Sequence, residues 1–212
     1  SVYTIVFGFP VPIIFALLLN EVRTGPFKKI VQTVSYLPRF ISTVVVVGML
    51  ISFFNPTNGV VNELLVSVMG RGEPINFFTT ARWFRPLFVG SEIWESFGWS
   101  SIIYLAALTS IDPELHESAE IDGASRFQRV IYINIPGISN TIISLLILSL
   151  GRIMSVVFEK IILMYNPAVY ETADVISTYV YRRGIIGADF SFATAVGLFN
   201  ALVNLALLVT FN

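Results

Sequence analysis

The sequence predicts an all-α membrane protein, a polytopic helical bundle. Three observations predict it. Apolar types make up 55% of the 212 residues and charged types only 13%, whereas soluble domains run nearer roughly 45–50% and about 25%. Several stretches approach or exceed the roughly 20 apolar residues that cross a bilayer, and three of them carry no charge. There is no cysteine and a single histidine, His116. The same figures remove whole classes. Low charge with high hydrophobicity excludes disorder. Without cysteine there is no disulfide scaffold, no thiolate zinc site and no cysteine nucleophile, and one histidine cannot make a multi-histidine metal centre. A net charge of −1 offers no basic stripe for nucleic acid. Neither a metal site nor a nucleic-acid partner is expected.

The first span is 2–20, uncharged throughout, with Pro10 and Pro12 predicting a kink. No Lys or Arg precedes it and no cleavage-site pattern follows, so it does not read as a signal peptide. Residues 21–39 connect, with Arg23, Lys28, Lys29 and Arg39 against Glu21. The second span, 40–56, is uncharged and short. Residues 56–85 are polar and aromatic, with Gly59, Gly70, Gly72 and Pro74 as turn signals. The third span, 86–111, contains Glu92 and Glu95. The fourth, 137–165, contains Arg152, Glu159 and Lys160, and the fifth is 190–211. Between the last two, 166–189 holds Tyr170, Tyr179, Tyr181, Arg182 and Arg183. These five spans form one membrane domain over 1–212, with no internal repeat. The chain opens directly at a span and stops just after one, so it is expected to be part of a longer protein with at least one span before Ser1.

Loop charge leaves the orientation open. Segments 21–39 and 112–135 together carry six Lys and Arg (Arg23, Lys28, Lys29, Arg39, Arg126, Arg129). Segments 56–85 and 166–189 carry five (Arg71, Arg82, Arg85, Arg182, Arg183), too small a bias to set sidedness.

Charges inside spans are costly in hydrocarbon and face the bundle interior or a water-filled cavity. Glu92, Glu95, Arg152, Glu159 and Lys160 are therefore candidates for a polar translocation path, with Trp94, Trp99 and Asn55 beside them. Glu92 or Glu95 is expected to pair with Lys160 or Arg152. Salt bridges that merely position helices would use the same residues. Sugar hydroxyls suit carboxylates and aromatic faces, and the two bases suit uronate carboxylates. Ala193, Gly197 and Ala201 form a small-residue stripe suited to helix packing. His116 reads as a surface residue, and no nucleophile–base pair is present. Tyr179, Tyr181, Arg182 and Arg183 suit either an interfacial belt or an extracytoplasmic contact.

The loop from Ser110 to Pro136 reads SIDPELHESAEIDGASRFQRVIYINIP. Asp112 followed by Pro113 is a helix start, an N-cap carboxylate and then proline at the first position. Glu114 suits the positive end of the helix dipole. The helix is expected to run to about Asp122, with Gly123 breaking it. Ser125 caps a second short helix to about Tyr132, and Pro136 with Gly137 turns the chain into the next span. Acids at 117, 120 and 122, with small residues at 118 and 119, suit a docking surface. A solvated interhelical loop carries the same features.

Glu117-Ser118-Ala119, Gly123 six positions after the glutamate, and Ile133-Asn134-Ile135-Pro136 resemble the EAA loop of ABC importer permeases. Glu117, Ala119, Gly123, Ile133 and Pro136 match in register, while Ser118 stands for alanine and Ile135 for leucine. The stretches FGFPVPIIFALLLNEV, YLPRFIS, YNPAVYETADVISTYVYRRG and FSFATAVGLF are also similar to the LplB-type sugar-permease branch, over nearly the whole chain. The resemblance implies a type I ABC importer transmembrane fold, normally of six spans, with the second to sixth here. It implies a cytoplasmic loop 112–135 in which Glu117, Ser118, Ala119, Asp122, Gly123, Ile133, Ile135 and Pro136 couple to a cytoplasmic ATPase dimer. It implies further partners: a second permease subunit in a heterodimer, an extracytoplasmic solute-binding protein, membrane lipid and an oligosaccharide or polysaccharide fragment as cargo. The setting would be multi-pass in a bacterial cytoplasmic membrane. The chain is not itself expected to be an enzyme or to hold a cofactor. A P-loop needs Gly-Lys, no glycine here precedes lysine, and ATP and magnesium would sit on the partner ATPase. The rivals are an ion-gradient-coupled transporter and an ABC permease for a non-sugar solute. The first has no use for an ATPase-docking loop; the second shares it.

Overall fold

The computed structural model describes residues 2–68, 70, 72–151 and 158–211, and all regular structure among them is helical. Close Cα neighbours divide the chain into two units. The first comprises Ser1–Phe40, Glu92–Ile153 and Asn204–Asn212; the second comprises Ile41–Ser91 and Met154–Val203.

Among the described residues, two helices are long and apolar enough to cross a membrane, Val2–Glu21 and Phe190–Thr210, or up to four if each of two sharply bent helix pairs is one span. The first is interrupted at Phe9, between Val2–Gly8 and Pro10–Glu21. Pro10 and Pro12 have no N–H for the carbonyls one turn before them, which accounts for the break. The longest helix, Ala81–Thr109, has 29 residues, about 43 Å at 1.5 Å per residue. Its charges at Arg82, Arg85, Glu92 and Glu95 keep it from reading as uniformly apolar. It contributes its first turns to the second unit and the remainder to the first.

In the first unit, Ala16 and Leu17 pack with Tyr104, Leu108 and Ile138. The segment read from sequence as a connection at 21–39 contains a helix, Pro26–Tyr36, continued by a 3-10 turn, Leu37–Phe40. Pro26 starts it at a position where proline costs no hydrogen bond. A Cβ on Gly98 would lie 2.0 Å from the Ser35 carbonyl oxygen, so backbone meets backbone where this helix crosses the long one. Phe40 and Trp99 meet edge to face, ring centroids 5.6 Å apart.

In the second unit, Val47, Phe84, Leu87, Phe88, Ile161 and Met164 share one core. Helix Thr43–Phe53 starts at Ser42, whose hydroxyl accepts the Val45 N–H at 3.5 Å. Asn62 is buried and stitches its surroundings: its amide nitrogen donates to the carbonyls of Asn55 and Ile75, both at 3.0 Å, and its oxygen accepts the Ile75 N–H at 2.7 Å. Asn166 donates to the Phe78 carbonyl at 2.9 Å and Thr172 to the Ala81 carbonyl at 2.8 Å. Within the stretch read as one span at 137–165, Ser139–Leu150 and Phe158–Met164 are helical, and residues 152–157 between them lie outside the described residues. The expected site residue Arg152 lies outside the described residues, as does Arg71.

Candidate functional site

The loop at 112–135 is locked by its own hydrogen bonds. The Asp112 carboxylate accepts the Glu114 N–H at 3.0 Å and Pro113 opens the helix Pro113–Ile121. Gly123 has φ +78°, in the left-handed region. There the Ala124 N–H reaches the Ala119 carbonyl at 2.9 Å and the Gly123 N–H the Glu120 carbonyl at 3.1 Å, a Schellman closure. Nothing lies within 4 Å of a Cβ built on Gly123, so glycine is needed there for its backbone conformation and not for space. Ser125 and Gln128 then cap each other reciprocally, with the Gln128 N–H on the serine hydroxyl at 3.3 Å and the Ser125 N–H on the amide oxygen at 2.8 Å. Arg129 Nη1 donates to Glu120 Oε2 at 3.0 Å and ties the second helix to the first.

These bonds sort the acids. Glu120 is occupied by Arg129, whereas Glu117, Ser118 and Asp122 are exposed and Ala119 is half-buried. Large apolar side chains stand out on the same loop: Ile121 is 87% exposed, Phe127 72% and Tyr132 74%. Exposed aromatic and aliphatic groups beside acids are a composition that suits contact with another protein. Ile133 is half-buried, and Ile135 and Pro136 are exposed. The second helix does not stop near Tyr132: a π-helical segment, Val130–Asn134, continues it through Ile135–Gly137, and the direction changes by 60° before Ser139–Leu150.

The expected path residues fall in different places. Glu92 and Trp99 line a cavity of about 660 Å³ in the first unit, together with Ser96, Ser100 and Tyr104 of the same helix. Thr4 and Gly8 of the first helix and Ser149 of Ser139–Leu150 complete its polar and open positions. Positions 92, 96, 99 and 100 share one helix face. Sequence reasoning missed Ser96, Ser100 and Ser149; their hydroxyls at that spacing were the available signal. Trp94 and Glu95 are not among the residues lining the cavity. In the second unit Glu159 is exposed and Lys160 is fully buried. Glu92, Glu95 and Lys160 all have interaction partners. The Asn55 side chain caps its own turn, accepting the Thr57 N–H at 2.8 Å.

Segment 166–189 is built around an ion pair that the sequence did not single out. Arg182 grips both carboxylate oxygens of Asp174, at 2.9 and 2.5 Å, and lies 5.0 Å from the centre of the Tyr170 ring. Thr178 also donates to Asp174, at 2.5 Å. The Arg182 hydrogen bonds hold the Asp174 carboxyl below its ordinary value of 3.8, and Thr178 adds to this. Arg183 stands over Phe192 at 4.6 Å and 3.6 Å from Asp189. Among the described residues, no group of three or more His, Cys, Asp or Glu is arranged to hold a metal ion.

Residues 8–211 match the family described as binding-protein-dependent transport system inner membrane component. Among curated relatives, the polygalacturonan/rhamnogalacturonan transport system permease protein YteP of Bacillus subtilis (strain 168) is 46% identical over 204 residues, covering 96% of this chain and 63% of its own length. Protein LplB of the same organism is 44% identical over 208 residues, covering 98% of this chain and 65% of its own. The chain thus spans just under two thirds of the length of these two relatives. A crystal structure of a bacterial ABC transporter involved in the import of the acidic polysaccharide alginate superposes with a TM-score of 0.94. It is 49% identical and covers 99% of this chain and 72% of the solved one. A crystal structure of a bacterial alginate ABC transporter in complex with an alginate pentasaccharide-bound periplasmic protein gives the same figures.

Proposed function

This chain belongs to the family of binding-protein-dependent transport system inner membrane components, and from that premise we propose that it is the permease subunit of an ATP-driven saccharide importer. It supplies half of a translocation path and takes its drive from a separate cytoplasmic ATPase dimer. The other half comes from a second permease, and an extracytoplasmic binding protein delivers the cargo. ATP and magnesium belong to the ATPase; this chain does no chemistry.

The observation that carries the proposal is the self-locked loop at 112–135. A surface that must transmit force has to be rigid within itself and exposed at its contact face. The cap at Asp112, the closure at Gly123 and the Glu120–Arg129 pair supply the rigidity. Glu117, Asp122, Ile121 and Phe127 supply the contact face. Closure of the ATPase dimer moves such a unit as one body and biases the membrane helices between inward- and outward-open states.

The cargo we propose is an acidic oligosaccharide or polysaccharide fragment. The named substrates of YteP and of the alginate transporter support this. Glu92 is the charged residue among those that line the cavity, and Trp99 offers an aromatic face for a sugar ring. A carboxylate accepts hydrogen bonds from sugar hydroxyls and repels uronate groups. The cargo's own charge would therefore be met elsewhere, with Arg152 the candidate, since Lys160 is fully buried and already has a partner.

The test uses the full-length protein co-expressed with its ATPase and partner permease, comparing wild type with Glu117→Arg. The wild type is expected to retain the ATPase through purification, and its hydrolysis should rise with loaded binding protein. The variant should lose the ATPase or its stimulation. Galacturonan or alginate oligosaccharides should stimulate where neutral oligosaccharides of equal length do not. A wild type that holds no ATPase in mild detergent would overturn the docking role.

A further inference from the structure

The docking loop joins its membrane helix through an irregular piece of helix. From Val130 to Asn134 the backbone takes the wider π form, in which the Ile135 N–H reaches back to the Val130 carbonyl. The Ile138 N–H then bonds the Asn134 carbonyl at 3.1 Å, and four-residue spacing resumes. Single π turns inside helices are rare and concentrate at functional sites. Immediately beyond, the path bends by 60°. At the bend a Cβ on Gly137 would come within 2.7 Å of Ile111 Cδ1, so the joint is pressed against the chain that leaves the long helix.

Asn134 sits inside this joint. It is fully buried, and among the described residues neither its amide nitrogen nor its amide oxygen has a hydrogen-bond partner. It lies a turn from Val130 and a turn from Ile138, both packed with Ala16, Leu17, Tyr104 and Leu108. An amide sealed among apolar groups without a partner destabilises the arrangement that holds it. A leucine would occupy the same face without that cost.

A π turn holds one residue more than an α turn. Resolving it displaces one flank of the helix by one residue, a rotation of about 100° and a shift of about 1.5 Å. A π turn that resolves in this way gives a helix two discrete arrangements, which is what coupling between distant sites requires. The docking loop is braced by the Glu120–Arg129 pair and the Ser125–Gln128 caps. An imposed displacement is then taken up at the joint.

We propose that Asn134 is a positioning residue of the transport cycle. Its unpaired amide keeps the π segment Val130–Asn134 poised to convert, and the conversion carries motion of the docking helix Pro113–Ile121 into the membrane helix Ser139–Leu150. This rests on the reading of 112–135 as the ATPase-docking loop.

The experiment compares wild type, Asn134→Leu and Glu117→Arg in the complete transporter in lipid nanodiscs with loaded binding protein. Asn134→Leu is expected to retain the ATPase, raise Tm and slow amide exchange over 130–138. Saccharide-stimulated hydrolysis should fall by about tenfold, the scale on which one unsatisfied buried polar group acts. If Asn134→Leu does not assemble, Asn134→Ala removes the amide without adding volume and is read by the same exchange and stimulation measurements. Wild-type stimulation in the assembled variant overturns this proposal alone. So does lost stimulation with a lower Tm and faster exchange, because that is simple structural damage. A wild type without bound ATPase overturns the docking reading instead.

Discussion

Two glycines show how the same residue type is fixed by opposite causes. Gly123 holds φ +78° in open space, whereas Gly98 has a Cβ position 2.0 Å from the Ser35 carbonyl oxygen. Alanine at 123 meets only the left-handed penalty, about 1–2 kcal/mol. Alanine at 98 must push two backbones apart in a close-packed interior, where overpacking costs about 1–3 kcal/mol or more. Gly98→Ala is therefore expected to lower the Tm of the detergent-purified protein more than Gly123→Ala. Only Gly123→Ala should weaken ATPase retention at temperatures where both variants are folded. Equal retention in the two would detach Gly123 from docking. Gly123 was legible as a helix end, because its role is local and the residues around it spell the cap. The need for glycine at 98 was not, because the atom that forbids a side chain there is more than sixty residues away in the chain.

At the scale of elements, the segment 166–189 depends on one charged clamp. The Asp174 carboxyl is held below 3.8 by Arg182, so the clamp's contribution is present above the ordinary carboxylate range. It is lost as pH falls through the lower, folded value. Exchange protection of 170–183 should be flat from neutral pH down to about pH 4 and decline below it. Asp174→Asn should give weaker protection above about pH 4, with the acid decline removed, and should meet the wild type at the acid end. A decline already complete near pH 6 would place the sensitivity in some other group. Arg182 stood out in the sequence and its partner did not, because Asp174 lies in the extended turn ahead of the helix Ile176–Val180, where helical spacing does not reach. The helix Pro26–Tyr36 was missed for a different reason. Four basic residues against one acid marked 21–39 as a loop, while Phe27, Ile30, Val34 and Leu37 repeat at helical spacing within it and are all exposed. By contrast the helix Pro113–Ile121 was readable nearly to the residue, since Asp112, Pro113 and Gly123 act on their own neighbours. Glu120 was read as free for a partner. Its tie to Arg129 spans the turn at Gly123 and shows only once that turn closes.

On the proposed function a cargo path and a docking loop belong to one chain, and the two ends should fail differently. Trp99 lines the cavity with about half of its surface open, and Phe40 braces its ring from the edge. A sugar ring stacked on that face gains on the order of 0.5–1.5 kcal/mol beyond burial, or roughly two- to tenfold in an equilibrium. Trp99→Ala is accordingly expected to cut cargo-stimulated hydrolysis by about that factor and to leave the ATPase bound. Glu117→Arg acts at the other end and should lose the bound ATPase first. In the double variant the loss of the ATPase hides the cargo effect, because an undocked motor cannot report on cargo. Phe40→Leu separates recognition from packing: it loosens the brace and leaves the indole in place, so its effect on stimulation should be smaller than that of Trp99→Ala. A Phe40→Leu effect as large as the tryptophan's would mean that Trp99 acts by holding the helix crossing at Gly98, and the cavity would then lose its claim to the cargo.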